Sequence, residues 1–203
     1  MDYVLIALIS YFLGSIPFGL ILTKVFLGKD VRKIGSGNIG ATNVLRAGNK
    51  IIALITLTLD IVKGYVPVVI AKNYFPELIE LACLLTFLGH IFPVWLKFKG
   101  GKGVATYLGI LFALSYGLAF LFIFTWVVVS LIFKYSSVSS IFASLTVLIV
   151  ATFRENIVKV LNPDIDYLTN TNLMLFIFFI LIVFTHRKNI SNLKNRTEKK
   201  IKI

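Results

Sequence analysis

The feature that most constrains this chain is a series of long apolar windows separated by short polar stretches. The 203 residues are 58% hydrophobic, and the mean hydropathy is +0.90. Ordinary soluble domains are about 45–50% apolar, and about 20 consecutive apolar residues are enough to cross a bilayer as a helix. The sequence therefore predicts an all-α integral membrane protein.

The window over residues 104–133 is too long for one straight span. As a single helix it would be about 45 Å long, against a hydrocarbon core of about 30 Å. It forms either one tilted helix or two short helices hinged near residues 115–117. With two helices the chain has about seven transmembrane helices and a basic tail at 186–203, the spans lying near residues 3–23, 51–71, 78–96, 104–116, 118–133, 137–153 and 168–185.

The distribution of basic residues distinguishes these two topologies. Seven spans place 17 of the 21 lysines and arginines on one side of the membrane and three on the other, with Lys63 inside a span. A single helix over 104–133 would give 11 against nine. Because basic residues concentrate in cytoplasmic loops, we expect seven spans in one domain over 1–203, with the N-terminus outside and the C-terminus inside.

The composition disfavours metal, thiol and nucleic-acid chemistry. The one cysteine, Cys83, lies mid-span and supports neither a disulfide framework nor a thiol metal cluster. The predicted cytoplasmic face has no acidic cluster and the chain has two histidines, so we expect no metal and no cofactor. The net charge of +12 lies in short loops and in the tail, where membrane lipid head groups are the expected partners instead of nucleic acid.

The first polar stretch, residues 34–46, holds three glycines, a serine, a threonine and two asparagines before an arginine. Glycines permit close backbone approach, and successive N–H groups can then line an anion site. Ser36 and Thr42 add hydroxyl groups, and Arg46 can offer two donors to a phosphate. The alternative is a flexible interfacial loop whose glycines form turns. The phosphate-binding candidates here are Gly37, Asn38 and Thr42, beside Ser36 and Arg46.

The second polar stretch, residues 89–106, places Lys102 among three glycines directly before an apolar helix. The N-terminus of such a helix favours anions, and the lysine adds a point charge. The alternative is membrane anchoring by lysines, which does not require glycine on both sides. His90 is expected to be a structural group. The binding candidates are Lys102, Gly100, Gly101 and Gly103.

The third polar stretch, residues 185–191, follows the last span. His186 and Asn189 are three residues apart and share a face if the last helix continues. His186 is a candidate donor or proton carrier. The alternative is a basic stop after the span.

A charged pair is also expected within the second span. Asp60 and Lys63 are three residues apart there, and charges inside a membrane are costly unless they are paired or face a cavity. We expect an intrahelical ion pair that braces the bundle, with a direct catalytic role as the alternative.

Together, the three stretches resemble those of the acyl-phosphate-dependent glycerol-3-phosphate acyltransferases of bacterial membranes, the family called PlsY. The similarity runs in order through residues 35–46, 89–106 and 185–190. It implies transfer of a fatty acyl group from acyl phosphate to the 1-hydroxyl of sn-glycerol 3-phosphate, giving lysophosphatidic acid and inorganic phosphate. This is the first acylation step of bacterial phospholipid synthesis. The resemblance also implies a multi-pass protein of the bacterial inner membrane with a cytoplasmic active site and no obligate protein partner.

By position in the matching motifs, the resemblance assigns roles to individual residues. One serine of residues 136–140 is expected to reach the acyl-phosphate group, and the sequence does not fix which. After Asn189 the tail departs from the family pattern, so the tail beyond residue 190 receives no role. Catalytic roles are implied for Ser36, Arg46, Lys102, His186 and Asn189, and substrate or phosphate binding for Gly37, Asn38, Thr42, Gly100, Gly101 and Gly103.

Two other functions compete with this interpretation. A membrane transporter of organic phosphate would also need an anion site, but inverted repeats and a midplane site would be expected, and no internal repeat is visible. A CDP-alcohol phosphotransferase would need clustered aspartates for metal, which the sequence lacks.

Overall fold

The computed structural model describes residues 1–161, of which 155–161 through their backbone alone, and residues 171–201. All regular structure in these residues is helical, which confirms the all-α membrane fold. The chain divides into two compact units, Met1–Leu114 and Ser115–Ile203, and the single domain over 1–203 stays a prediction. The described helices are α1 Asp2–Ser15, α2 Phe18–Leu27, α3 Ala41–Arg46, α4 Lys50–Tyr74, α5 Ile79–Ile91, α6 Val104–Leu114, α7 Tyr116–Phe133, α8 Ser136–Leu161, α9 Thr171–Thr185 and α10 Arg187–Lys194.

Five helical segments of the described residues are long and apolar enough to cross a membrane. α9 and α10 are a further candidate, as a pair bent by 54°. α6 is apolar, but its 11 residues are fewer than the roughly 20 of a straight span. The count of seven spans and the orientation therefore stay predictions. The five single candidates are Asp2–Leu27, Lys50–Tyr74, Pro76–Leu96, Tyr116–Phe133 and Ser136–Arg154.

The long window after residue 103 forms two helices, as the seven-span interpretation requires. α6 and α7 are separated by Ser115, whose backbone is extended with φ −159° and ψ 114°. The Ser115 Oγ accepts a hydrogen bond from the Leu118 N–H at 3.4 Å. Serine favours this capping position, so the chain breaks at Ser115 and Gly117 lies inside the first turn of α7.

The first predicted span, residues 3–23, is interrupted where the sequence analysis expected one helix. α1 and α2 are separated by Ile16 and Pro17. Proline lacks the N–H that would continue the helix and disfavours helical geometry in the residue before it. Ile16 accordingly has φ −62° and ψ 117°, which leaves backbone groups at the break in need of partners.

A buried ion pair of α4 supplies one of these partners. The Lys63 Nζ lies 2.7 Å from the Asp60 Oδ1 and donates a 2.6 Å hydrogen bond to the Ile16 carbonyl. Both charged side chains are almost fully buried, with 4% and 3% of their surface exposed. The predicted intrahelical pair is confirmed, and it also stabilises the break between α1 and α2.

Glycines bring the helices of the first unit close together. α1 packs against α5 and α4 packs against α6. A Cβ on Gly14 would collide with the backbone of Thr86, and one on Gly64 with the backbone of Thr106. Small residues at such contacts are typical of membrane helix pairs, because they let backbones approach. The packing fixes the end of α5 and the start of α6, between which the second polar stretch lies.

The helix ends in the second and third predicted spans follow proline and loop signals. α4 covers the predicted span 51–71 and continues to Tyr74. α5 ends at Ile91, earlier than the predicted 96, because Pro93 interrupts it before a 3-10 turn at Val94–Leu96.

In the second unit, α8 packs between α7 and α9. Its core includes Val147, Leu175 and Phe178, which are buried. α8 extends past the predicted end at 153 to Leu161, and α9 ends at Thr185 as predicted. The predicted start of the last span at 168–170 and the end of the tail at 202–203 lie outside the described residues.

Candidate functional site

The first polar stretch folds around one buried amide side chain. Asn43, in the first turn of α3, is only 2% exposed. Its Nδ2 donates to the carbonyls of Val31 at 2.9 Å, Ile34 at 2.9 Å and Asn38 at 2.8 Å. Its Oδ1 accepts the Ser36 N–H at 2.9 Å. The glycine-rich segment is therefore a closed loop with a defined conformation, which disfavours the alternative of a flexible linker.

Glycine at position 35 is required by this closure. Gly35 has φ +57°, in the left-handed region. A Cβ there would collide with the Oδ1 of Asn43 and lie 3.3 Å from the Cδ of Arg46. The backbone just before Ser36 thus lies against the side chains of both Asn43 and Arg46, which places the predicted serine and arginine in one small structural unit.

The start of α3 is shaped by a second asparagine. The Asn38 Oδ1 accepts the Gly40 N–H at 2.9 Å, and Gly40 is the N-cap residue of α3. Thr42 follows in the first helical turn and is partly buried. Gly37, with φ +74°, donates its N–H to the Ile34 carbonyl at 2.9 Å. Gly37 and Asn38 therefore have structural roles here, and their contact with phosphate stays a prediction.

An exposed ion pair lies at the edge of the same loop. The Asp30 carboxylate accepts hydrogen bonds from Arg32 Nε at 2.9 Å and Nη2 at 2.6 Å. The Arg32 guanidinium lowers the pKa of the Asp30 carboxyl below its ordinary value. This carboxylate compensates the charge of Arg32.

The second polar stretch uses two of its glycine N–H groups internally. Gly100 donates to the Ile91 carbonyl and Gly101 to the His90 carbonyl, each at 3.1 Å. These bonds satisfy carbonyls at the C-terminal end of α5. Gly100 and Gly101 are predicted substrate- or phosphate-binding residues, and their N–H groups are engaged with the end of α5. Phosphate binding by this stretch stays a prediction that depends on Lys102 and on the start of α6.

The glycines of this stretch are explained by close approach to α5. A Cβ on Gly101 would collide with the His90 ring, and one on Gly103 would collide with the Phe87 ring. Gly103 also has φ +83°. Lys102, between them, is partly buried. His90 itself is buried under Gly101, in keeping with its predicted structural role.

Two aromatic side chains attach this stretch to α1. The Tyr11 hydroxyl donates to the Phe92 carbonyl, and the Trp95 Nε1–H donates to the Ser15 Oγ, each at 2.8 Å. Both bonds connect residues about 80 positions apart in the chain. The loop that carries Lys102 is thereby held at two points on α1.

The third polar stretch lies at a bend. α9 ends at Thr185, and α10 continues at 54° to it, so the last helix does not run straight through the motif. His186 sits at the bend, 2% exposed, with its Nδ1 2.8 Å from the Ile182 carbonyl. Because a carbonyl oxygen only accepts, Nδ1 is the nitrogen that carries the proton. The bend leaves Asn189 buried as well, at 8% exposure.

The tail, to which the sequence analysis gave no role, contacts this stretch. The Glu198 carboxylate accepts from Asn189 Nδ2 at 2.5 Å, Asn192 Nδ2 at 3.4 Å and Ser137 Oγ at 3.3 Å. Glu198 is the one acidic residue after His186, and this isolated charge in a basic tail was the available signal. The sequence likewise predicted no role for Asn43, and its position in a glycine-rich loop was the available signal.

Three of the four serines in residues 136–140 donate side-chain hydrogen bonds. Ser139 donates to the Tyr135 carbonyl and Ser140 to the Ser136 carbonyl, both within α8. Ser137 shares the Glu198 carboxylate with Asn189, and is therefore the serine of the cluster that is connected to the third stretch.

The predicted site residues fall into two groups. Ser36, Arg46 and Lys102 belong to the unit Met1–Leu114, and His186 and Asn189 belong to the unit Ser115–Ile203. Ser36 is held through its N–H, and His186 and Asn189 through their side chains. The convergence of the two groups on one pocket stays a prediction.

Known proteins match the whole chain. A protein from Pelagibacter ubique (strain HTCC1062), named glycerol-3-phosphate acyltransferase, is 52% identical over 203 residues, covering 100% of both chains. One of the same name from Mesorhizobium japonicum is 49% identical over 199 residues, covering 98% of this chain and 95% of its own.

Solved structures match the fold. The glycerol 3-phosphate form of PlsY (YgiH), an integral membrane glycerol 3-phosphate acyltransferase, has a TM-score of 0.87 at 35% identity, covering 100% of this chain and 96% of its own. The lysophosphatidic acid form has a TM-score of 0.84 at 34% identity, with the same coverage.

The family comparison agrees with both. The family model described as glycerol-3-phosphate acyltransferase matches residues 4–196, which include all three polar stretches. The family resemblance drawn from those stretches is confirmed, and the protein is an acyltransferase embedded in a membrane. The chain belongs to the glycerol-3-phosphate acyltransferase family.

Proposed function

We propose that the protein transfers a fatty acyl group from acyl phosphate to the 1-hydroxyl of sn-glycerol 3-phosphate, releasing lysophosphatidic acid and inorganic phosphate. The observation that carries the acceptor assignment is the match to a structure solved in its glycerol 3-phosphate form. The related lysophosphatidic acid form supports the product. The donor is supported by the resemblance of the three polar stretches and by their chemistry, which suits two phosphate groups.

The first stretch is assigned to both phosphate-bearing substrates. Arg46 holds the glycerol phosphate through two parallel hydrogen bonds, which its planar guanidinium favours. Ser36 and Thr42, with N–H groups at the start of α3, stabilise the acyl-phosphate end and the oxyanion that develops on its carbonyl. The closed loop around Asn43 supports this assignment, because catalytic donors act through a fixed geometry.

The second stretch contributes charge more than backbone donors. Lys102 binds phosphate as a point charge at the start of α6. The glycines on either side let its loop lie directly on α5, since side chains there would collide with His90 and Phe87. Loop and helix end therefore hold the lysine close to the helix N-terminus.

The third stretch orients the acceptor. Asn189 and His186 contact the glycerol 3-phosphate, and the Glu198 carboxylate fixes the Asn189 amide. The His186 ring is fixed through Nδ1 and the Ile182 carbonyl. This arrangement suits a side chain that binds and orients the acceptor.

The reaction needs no strong protein base. The acceptor hydroxyl oxygen forms a bond to the acyl carbonyl carbon, and the bond from that carbon to the phosphate oxygen breaks. Phosphate leaves with the electron pair and takes the hydroxyl proton on one of its oxygens. Acyl phosphate is already activated, so the protein supplies neutralisation of two anions and their alignment, which removes much of the barrier.

We place the active site on the cytoplasmic face of the bacterial inner membrane. Seven spans put all three polar stretches on one side, and the side that holds 17 of the 21 lysines and arginines is expected to face the cytoplasm. The fatty chain of the donor lies between the helices or in the adjoining lipid. Acyl phosphate, glycerol 3-phosphate and membrane lipids are the proposed partners.

A defined assay tests the proposal. Purified protein in lipid nanodiscs is supplied with glycerol 3-phosphate and either palmitoyl phosphate or palmitoyl-CoA, in the presence of EDTA. We expect lysophosphatidic acid and equimolar phosphate from the first donor only. Product from palmitoyl-CoA alone would overturn the donor, and no acylation with either would overturn the function. Uptake of labelled glycerol 3-phosphate into proteoliposomes without product would favour a transporter.

A further inference from the structure

We propose that Asn43 is a positioning residue that holds Ser36 and Arg46 in their reactive arrangement. The inference rests on the proposed function for its catalytic meaning, and on the geometry of the first polar stretch for its physical basis. Neither the family resemblance nor the composition of the polar stretches predicted a role for the Asn43 side chain.

Both polar atoms of the Asn43 side-chain amide are hydrogen-bonded. A side-chain amide has two N–H donors and one carbonyl acceptor. Here the donor side serves the carbonyls of Val31, Ile34 and Asn38, and the acceptor side serves the Ser36 N–H. The two N–H hydrogens are shared among three carbonyls, so one side chain contacts four backbone groups of an eight-residue segment that has no sheet or long helix to satisfy them.

Asn43 lies next to both Ser36 and Arg46. Ser36 is bonded directly to Asn43 through its N–H. Arg46 follows Asn43 by three residues in α3, where residues three apart are neighbours on the helix surface. Gly35 closes the arrangement, because its backbone lies against both the Asn43 Oδ1 and the Arg46 Cδ. A shift of Asn43 would move Ser36 relative to Arg46.

The surroundings of Asn43 are apolar. Asn43 is 2% exposed, and Val31, Ile39 and Val44 around it are buried in one apolar cluster with Leu20 and Ile52. In such surroundings an unsatisfied polar group is costly, so the amide has a strong preference for this one arrangement. Asn43 thus connects the apolar core of the first unit to the polar surface of the loop.

Two substitutions of Asn43 separate the contribution of its donors from that of its acceptor. Asn43→Ala removes all four bonds. Asn43→Asp keeps an acceptor for the Ser36 N–H but loses the donors and adds a negative charge beside three carbonyls. Gly35→Ala keeps the asparagine but pushes its Oδ1 away from the Ser36 N–H, because the added Cβ would collide with that oxygen. This variant replaces Asn43→Ala in the experiment if Asn43→Ala does not fold. Asn49→Ala is the matched control, since Asn49 caps α4 by accepting the Ile52 N–H at 2.9 Å.

The experiment combines hydrogen exchange and steady-state kinetics on purified protein in nanodiscs. For the Asn43 variants we expect amide exchange over residues 31–40 to accelerate by about tenfold or more, with the long helices unchanged. We expect kcat to fall by about 100-fold with smaller changes in either KM, because misplacement of reacting groups acts on turnover. Asn49→Ala should keep the kcat and the exchange of residues 31–40 of the unchanged protein.

The outcomes are distinguishable from failure of the proposed function. Exchange is measured without substrate, so it decides whether Asn43 holds the loop even if the unchanged protein transfers no acyl group. Normal exchange over residues 31–40 in Asn43→Ala would overturn the geometric part. Faster exchange with a normal kcat, in a protein that does acylate glycerol 3-phosphate, would overturn the catalytic part. A loss of active fraction with normal turnover in the remainder would indicate a merely structural residue.

Discussion

The first and third polar stretches are each organised by a buried asparagine, but the two asparagines use different partners. Asn43 binds backbone groups that all lie within residues 31–38. Asn189 binds the carboxylate of Glu198, a side chain from the tail. Backbone partners remain when neighbouring side chains are replaced. The first stretch is therefore vulnerable at its central asparagine, whereas the third is vulnerable at both ends of the bond.

The Asp60–Lys63 ion pair of α4 also depends on a side-chain partner, and both of its charges are buried. Lys63→Met should destabilise the protein by about 3–5 kcal/mol, because it leaves the Asp60 charge buried without its counter-ion. It also removes the donor to the Ile16 carbonyl at the break after α1. Thermal unfolding in nanodiscs measures the loss. The double variant Asp60→Leu with Lys63→Met should be less damaged than Lys63→Met alone, and equal damage in both would contradict the account.

The two cations of the first unit should have the next largest effect. We expect Arg46→Ala and Lys102→Ala each to lower kcat/KM by about 10²–10³-fold, the usual result of losing an electrostatic donor, with little change in thermal unfolding. The matched control is Lys99→Ala, because Lys99 is exposed in the same loop as Lys102. Near-normal turnover in either variant would remove that residue from the mechanism.

Glu198 gives the direct comparison of the third stretch with the first. Glu198→Ala should lower stability by about 1–3 kcal/mol, since three donors lose their acceptor. Glu198→Gln should be milder because it keeps an oxygen. In the first stretch Ile34→Val changes a side chain but keeps the bonded carbonyl, and should be nearly silent. Thermal unfolding and turnover are measured for all three variants. Unchanged stability in Glu198→Ala would contradict the proposed difference between the two stretches.

The smallest effect is expected at the edge of the first loop. Asp30→Asn should change stability by about 0–1 kcal/mol, because the Asp30–Arg32 pair is exposed. The pKa of Asp30 is lowered in the folded state. Its contribution is therefore present above the ordinary carboxyl pKa and is lost only as pH falls through the lowered folded value. The difference in unfolding free energy between the two proteins should therefore stay constant between pH 6 and pH 8.

The sequence predicted those features that depend on local composition. The apolar windows located the membrane helices, the length of residues 104–133 predicted a break, and the spacing of Asp60 and Lys63 predicted their ion pair. The break at Pro17 had a local signal as well, but the window average over residues 3–23 obscured it.

What the sequence did not predict are contacts between distant segments. The bond from Lys63 to the Ile16 carbonyl spans 47 positions, and it depends on how α4 packs against α1. The use of Gly100 and Gly101 N–H groups to close α5 depends on the path of the loop. Glycine spacing alone is equally compatible with an anion site and with close packing; the structure shows the close packing, and phosphate binding stays a prediction.

The central prediction is that all three polar stretches face the same side of the membrane, which requires α6 and α7 to cross it as two separate spans. In a Cys83→Ala background, Lys99→Cys and Lys188→Cys place single thiols at exposed positions of the second and third stretches without touching the proposed site. A membrane-impermeant maleimide applied to sealed vesicles of either orientation measures their accessibility. The account predicts that both thiols react only from the cytoplasmic side. Reaction of the two thiols from opposite sides would contradict it.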